Sequence, residues 1–204
     1  MAKTSGGLRG GANAAANRWA AGISNPDMRA EAETAAMLIA SKLGISPASL
    51  PKIIESQIKS GKGGTTIANY KSNDFGETIT INTDKKAVSV YKSNKYASVK
   101  DGWTSQPNTV LHELSHGIHQ RLVSELIRTP QGYRKAQQTG RLDAAIIKKG
   151  VSKYASTNSD EFHAELISGI LSGKRYSKQI LDDSILAASS NRIAKRLYKM
   201  GLKR

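Results

Sequence analysis

The sequence predicts an α+β fold, a mostly helical chain carrying a small antiparallel or mixed sheet. Three observations carry this. Apolar residues recur at the helical period over long stretches, as in Leu111, Leu114, Ile118, Leu122 and Leu126. One region, Thr78 to Tyr91, instead alternates or runs β-branched. Cap signals of the Asn-Pro and Ser-Pro type precede periodic segments at Asn25-Pro26 and Ser46-Pro47.

The elements follow in order. Residues 1–24 are rich in Gly, Ala, Ser and Asn, a composition that buries little and costs entropy to order, and they read as a flexible tail. Asn25 caps a helix from Asp27 to Leu43, stopped by Gly44. After Ser46-Pro47, the spacing of Ile53, Ile54 and Ile58 suggests a second short helix, broken by Gly61-Lys62-Gly63-Gly64. Residues 25–64 thus read as a small helical segment with its linker, and 65–204 as the main domain. Within that domain, Thr78-Ile79-Thr80-Ile81 and Ala87 to Tyr91 flank Asn82-Thr83-Asp84-Lys85 and read as a hairpin. The Leu111 to Leu126 stripe is a helix that Thr129-Pro130 ends. Three more helices are expected, over about Tyr133 to Lys148, Asp160 to Leu171 and Lys178 to Lys199.

Composition narrows the function classes. A length of 204 residues suits one domain with an appendage, and 38% apolar residues with 5% aromatics point to an aliphatic core. No apolar run approaches the roughly 18 residues of a membrane span, and the N-terminal residues lack the apolar stretch of a Sec-type signal, so a cytoplasmic location is expected. With no cysteine, disulfides, thiolate metal sites and a cysteine nucleophile are excluded. The formal charge is +15, from 31 Lys and Arg against 16 Asp and Glu, so contact with nucleic acid or another polyanion is expected at low salt. Basic residues are densest after position 173; a solvated surface is the plainest account of them. There is no P-loop and no G-x-S-x-G nucleophile elbow.

The informative stretch is His112-Glu113-Leu114-Ser115-His116. Residues four apart share a helix face, so both imidazoles can present a nitrogen to one zinc ion while Glu113 leans toward the open coordination position. Catalytic zinc keeps three protein ligands and a water, whose proton an adjacent carboxylate removes. The spacing therefore points to metal-assisted hydrolysis of a peptide or amide. His119, one turn beyond His116, reads as lying behind the ligands or at the surface. A third ligand must come from elsewhere. Glu125 continues the same helix and is carried two turns away, whereas Glu161 and Glu165 lie four apart at the start of a later helix. Glu161 has a second account, since with Asn158 as N-cap it occupies the capping-box position.

Together these segments resemble the gluzincin metallopeptidases related to the catalytic domain of anthrax lethal factor. In those, H-E-x-x-H is followed after a long insertion by Tyr-x-x-Thr-Asn-x-x-Glu-Phe-x-Ala-Glu; this chain has Tyr154, Thr157, Asn158, Glu161, Phe162, Ala164 and Glu165. The resemblance covers about residues 105–173 and implies a zincin-like domain, with the sheet beside the active-site helix. It also implies a zinc cofactor, a peptide or protein substrate, and Glu161 as third ligand beside His112 and His116. Glu113 would be the general base. Tyr154 would be a phenol aimed at the oxyanion, with Tyr133 as its fallback, and Glu165 an acceptor that orients a ligand histidine. His163 departs from the aromatic residue common at that place. Related motifs occur in bacterial and phage-encoded proteins, which makes a virion-associated location a further expectation. If the resemblance holds, the edge spanning Ile79 to Tyr91 would pair with an extended substrate. The competing expectation is a basic nucleic-acid-associated protein of a phage or mobile element, with a structural or vestigial zinc site.

Overall fold

A computed structural model describes residues 6–59, 65–74, 76–94 and 97–203. Helices dominate, and the strands form one small mixed sheet, the α+β class expected. The chain divides into two compact units, Met1–Lys92 with Asn108–Leu114, and Ser93–Pro107 with Ser115–Arg204.

The first unit opens with α1 (Gly6–Ala20) and α2 (Pro26–Leu43). The expected flexible tail is therefore mostly helix. Its alanines have the highest helix propensity, and Ala16, Ala20 and the following Ile23 are buried along with Ala32, Ala35, Ala36 and Ile39 of α2. The Trp19 indole N–H donates to the Pro51 carbonyl at 2.9 Å, which ties α1 to the chain after α2. Helix α2 begins and ends as its sequence dictates. The Asn25 side chain accepts from the Asp27 and Met28 N–H groups, and Gly44 closes the helix at φ 72°, a left-handed conformation that favours glycine.

Beyond a 3-10 turn at Pro47–Ser49, the expected second helix is instead β1 (Lys52–Ser56). Ile53 and Ile54 are β-branched and adjacent, which suits a pleated strand, and β1 pairs in parallel with β3 (Gly76–Asn82). Strand β2 (Ala68–Asn73) pairs antiparallel with the other flank of β3, giving the order β1-β3-β2. Residues 61–64, the expected linker, lie outside the described residues, and the segments on both sides of it belong to the same compact unit. The expected hairpin is also corrected. Its second arm is α3 (Lys85–Asn94), in which Asp84 receives the Lys86 and Ala87 N–H groups and Ala87 and Tyr91 are buried one turn apart. Since β3 is central, the strand holding Ile79 is paired on both sides and offers no free edge to a substrate.

Asn82 fixes the end of this sheet. Fully buried, it accepts from the Ile58 and Asp84 N–H groups and donates to the Ile58 and Thr66 carbonyls. Its amide thereby uses both ends on backbone groups that a buried loop would otherwise leave unpaired.

In the second unit come α4 (Ala97–Lys100), most of α5 (Thr109–Leu126), α6 (Pro130–Ala136), α7 (Ala144–Gly150), α8 (Ser159–Leu171), α9 (Lys178–Asp182), α10 (Ile185–Ala188) and α11 (Arg192–Gly201). Helix α5 matches its apolar stripe, with Leu111, Leu114, Ile118 and Leu122 all buried. The two longest of the other expected helices are broken. Gly140 at φ 66° and the cap Asp143 separate α6 from α7, while the caps Ser184 and Asn191 split the last helix into three. Helix α8 is the most buried element, with every residue from Phe162 to Leu171 inside.

Candidate metal centre

Two helices supply the site. On α5, His112 and His116 are separated by one turn, which stacks their imidazoles on one face. On α8, the Asn158 side chain accepts from the Glu161 N–H at 2.9 Å, so Glu161 occupies the third position of the first turn. That cap bond is made by the Glu161 backbone. The side chain reaches His116, with Oε2 3.4 Å from Nε2.

His112, His116 and Glu161 each offer one ligand atom, and these atoms all lie within 4.8 Å of one another. His112 is buried, while His116 and Glu161 are partly exposed, so the cluster is open on one side. Donors on a tetrahedral zinc with bonds of about 2.0–2.1 Å sit about 3.3 Å apart. The His116–Glu161 separation is compatible with two ligands of one ion, and two imidazoles with one carboxylate form the donor set of open hydrolytic sites. The donor set fits a zinc ion. Glu113, beside His112 on α5, is largely buried at 8% exposure.

Behind these residues lies a stacked pair of imidazoles. The His119 and His163 rings are parallel within 6° and 4.3 Å apart, and Phe162 meets His163 edge-on. His163 Nδ1 is 2.7 Å from the Ser159 carbonyl and Nε2 accepts from the Ile185 N–H at 3.0 Å. A neutral ring with its proton on Nδ1 satisfies both contacts. His163 thus stacks like an aromatic ring and also accepts from the first N–H of α10. Burial is the main cause that pulls its pKa down to about 4. His119 is pulled to about 2, by burial first and then by the neighbouring His163 and His116. Its Nδ1 has no hydrogen-bond partner and stands 3.7 Å from a carboxylate oxygen of Asp160. His119 therefore lies behind the cluster, as a neutral packing group.

Glu165 is fully buried one turn after Glu161. It accepts from the Ser105 backbone N–H and, at 2.9 Å, from the Ser152 hydroxyl, and its own carbonyl receives the Ser105 hydroxyl at 2.8 Å. Ser152 in turn receives the Ala155 N–H. Around this carboxylate two segments are laced together, with the Lys153 and Tyr154 N–H groups donating to the Gly102 and Trp103 carbonyls at 2.9 and 2.8 Å. Tyr154 stacks on Trp103, ring centroids 6.1 Å apart, and Trp103 is half-exposed. Ser105, Ser152 and Trp103 carry no sequence signal; their partners are far away in the chain or in irregular loops. The fallback Tyr133 is exposed on α6, and Glu125 accepts from the Asn191 side chain, away from the cluster's donor set.

No family model matches this chain, and no curated protein or solved structure matches it either. Among the described residues, no helix is long and apolar enough to cross a membrane.

Proposed function

We propose that this protein is a zinc-dependent metallopeptidase of the gluzincin type, with His112, His116 and Glu161 holding the metal. The observation that carries the reading is the convergence of those three ligand atoms within 4.8 Å on two different helices. A single helix face would bring the histidines together without any reason for a carboxylate from α8 to meet them.

His112, His116 and Glu161 would hold the zinc ion, which when bound would supply Lewis acidity and a water nucleophile near neutral pH. Glu113, next to a ligand in sequence and shielded from solvent, takes the proton of the attacking water and passes it to the leaving amine. The Tyr154 phenol would donate a hydrogen bond to the substrate oxygen that gains negative charge, and its stacking on Trp103 restricts its ring. Glu165 holds the segments that carry both aromatic rings. The substrate class is a peptide or protein.

The test combines metal content by mass spectrometry with cleavage of a broad peptide library. Wild type is expected to hold close to one zinc per chain and to cut peptides. Glu161→Ala and the double change of His112 and His116 to Ala should lose the metal, and Glu113→Gln should keep the metal but lose cleavage by at least a factor of about 100. Metal retained without Glu161, or peptide cleavage untouched in Glu113→Gln, would overturn the reading.

A further inference from the structure

A second surface, in the C-terminal part of the chain, is separate from the candidate metal centre. Helix α11 carries Arg192, Lys195, Arg196 and Lys199, whose spacing of three and four residues puts them within one arc of the helix, and all four are exposed. The opposite side is buried at Ala194, Leu197 and Gly201. Gly201 sits so close to α8 that a Cβ there would come within 2.7 Å of Ile170. Past the helix, a parallel bridge joins Tyr176 to Leu202, with Tyr176 N–H donating to the Gly201 carbonyl and Lys203 N–H to the Tyr176 carbonyl. That bridge brings exposed Arg175 and Lys203 to the C-terminal end of the same helix.

What sets this face apart is the fate of the nearby acids. Between Ser172 and Lys203 the sequence holds only Asp182 and Asp183. Asp182 is taken by the Lys178 ammonium and, at 2.6 Å, by the Tyr198 hydroxyl. Asp183 accepts the Arg141 and Leu142 N–H groups, both at 3.1 Å. None of the six cations has an ion-pair partner among the described residues. The charge is held in a fixed row, four side chains over about two helical turns, with no ion-pair partner among the described residues.

We infer that this face docks on the phosphate backbone of double-stranded nucleic acid without reading its sequence. Three features select that partner. A helix that lies in a membrane surface inserts an apolar face, and the apolar side of α11 is already buried against α8. Single strands are held by bases stacked on exposed aromatic rings, and the one aromatic of α11, Tyr198, is half-buried with its hydroxyl on Asp182. The exposed arc holds only Lys and Arg, which pair with any phosphate, and it lacks the Asn, Gln, Asp and Glu side chains that read adenine and cytosine edges. A duplex, with one negative charge per about 1.7 Å of its axis, complements such a row at any register.

The experiment is binding of the full chain to a labelled random-sequence DNA duplex of 30 base pairs, followed by fluorescence anisotropy across a salt series. Lys195→Ala, Arg196→Ala and Lys199→Ala are combined in one variant, and Lys71→Ala, Lys85→Ala and Lys86→Ala, all exposed in the first unit, in a control of equal charge. The α11 variant is expected to bind at least about tenfold more weakly at 0.1 M salt. Its plot of log affinity against log salt should be shallower by about 2 to 3, since each lost phosphate contact removes about 0.9 from the slope. The control should stay within about twofold. Equal losses in the two variants would mean that net charge alone drives binding, and would overturn the proposal. Tighter binding to a single-stranded 30-mer, or binding to vesicles containing phosphatidylserine but not to the duplex, would overturn it as well. No arm depends on metal, so failure here leaves the peptidase reading intact, and the reverse holds too.

Discussion

The Glu31 carboxylate, on α2, accepts a hydrogen bond at 3.2 Å from the backbone N–H of Thr109, the first residue of the helix that carries both histidines. The Glu31 carbonyl receives the Asn108 side-chain amide at 2.9 Å, and Asn108 itself caps the helix by accepting from the Leu111 N–H at 2.8 Å. A negative charge thus meets the positive end of α5, where the first N–H groups have no partner within the helix. Glu31→Ala is expected to lower unfolding stability by about 1 to 2 kcal/mol, and Glu31→Gln by less, because the amide keeps an acceptor oxygen but loses the charge. Urea denaturation checks both; a change within about 0.3 kcal/mol in the alanine variant would show that water replaces the carboxylate at no cost.

A second prediction concerns acid. The native pKa of His119 lies near 2, far below its ordinary value of 6.5. As pH falls below about 6.5, the unfolded chain takes up a proton that the folded chain refuses, so stability is complete above that pH and is lost as pH drops toward the folded value. Lowering the pH from 7 to 5 should cost up to about 2 kcal/mol through this group. His119→Phe, which keeps a ring against His163, should flatten the dependence. Urea midpoints at the two pH values make the comparison; equal slopes in wild type and variant would refute it.

Glu165 bears on the loops rather than on a helix end. Glu165→Ala leaves the Ser105 N–H and the Ser152 hydroxyl without their acceptor in a fully buried place. A loss of about 2 to 4 kcal/mol is expected. Faster hydrogen exchange at the Lys153 and Tyr154 amides should accompany it, since those amides close the same lacing. Unchanged exchange there would separate Glu165 from the ordering of these segments.

A fourth prediction uses a close approach on α8. A Cβ on Gly169 would fall 1.9 Å from the Tyr176 hydroxyl oxygen, in a place where the tyrosine ring is buried. Gly169→Ala should therefore destabilise the protein by about 1 to 3 kcal/mol, despite the better helix propensity of alanine. Adding Tyr176→Phe removes the clashing oxygen and should recover part of that loss. A double variant no better than Gly169→Ala alone would mean that the obstruction is elsewhere on the ring.

The sequence was legible where signals are local. Asn25-Pro26 and Gly44 bracket α2, the apolar stripe runs the length of α5, and Asn158 starts α8, each within one residue or two of its expected bounds. It misled where a short apolar run is compatible with either period. Ile53-Ile54 became a strand because β3 lay available for pairing 26 residues away, and Ala87 to Tyr91 became a helix because Asp84 caps it. At the candidate site, the i, i+4 histidines and the Glu161 segment could be paired from their motifs, and the structure brings His112, His116 and Glu161 into one cluster. The partners of Glu165 were not legible. Ser105 lies 60 residues from it in an irregular loop, and no periodicity marks such a contact. His163 stands out in the sequence, but only its neighbours Ser159 and Ile185 show what it does.

The chain has two tryptophans, and they fall one to a compact unit, Trp19 in the first and Trp103 in the second. Each is therefore a native fluorophore that reports on one unit alone. Trp19 is partly buried with its indole N–H bonded to Pro51, whereas Trp103 is half-exposed against a tyrosine. The two should differ in emission maximum, Trp103 being the redder. With Trp103→Phe the remaining emission follows the first unit through a melt, and with Trp19→Phe it follows the second. Coincident curves would make the two units one cooperative system, and separated curves would give each its own melting temperature, without any label being attached.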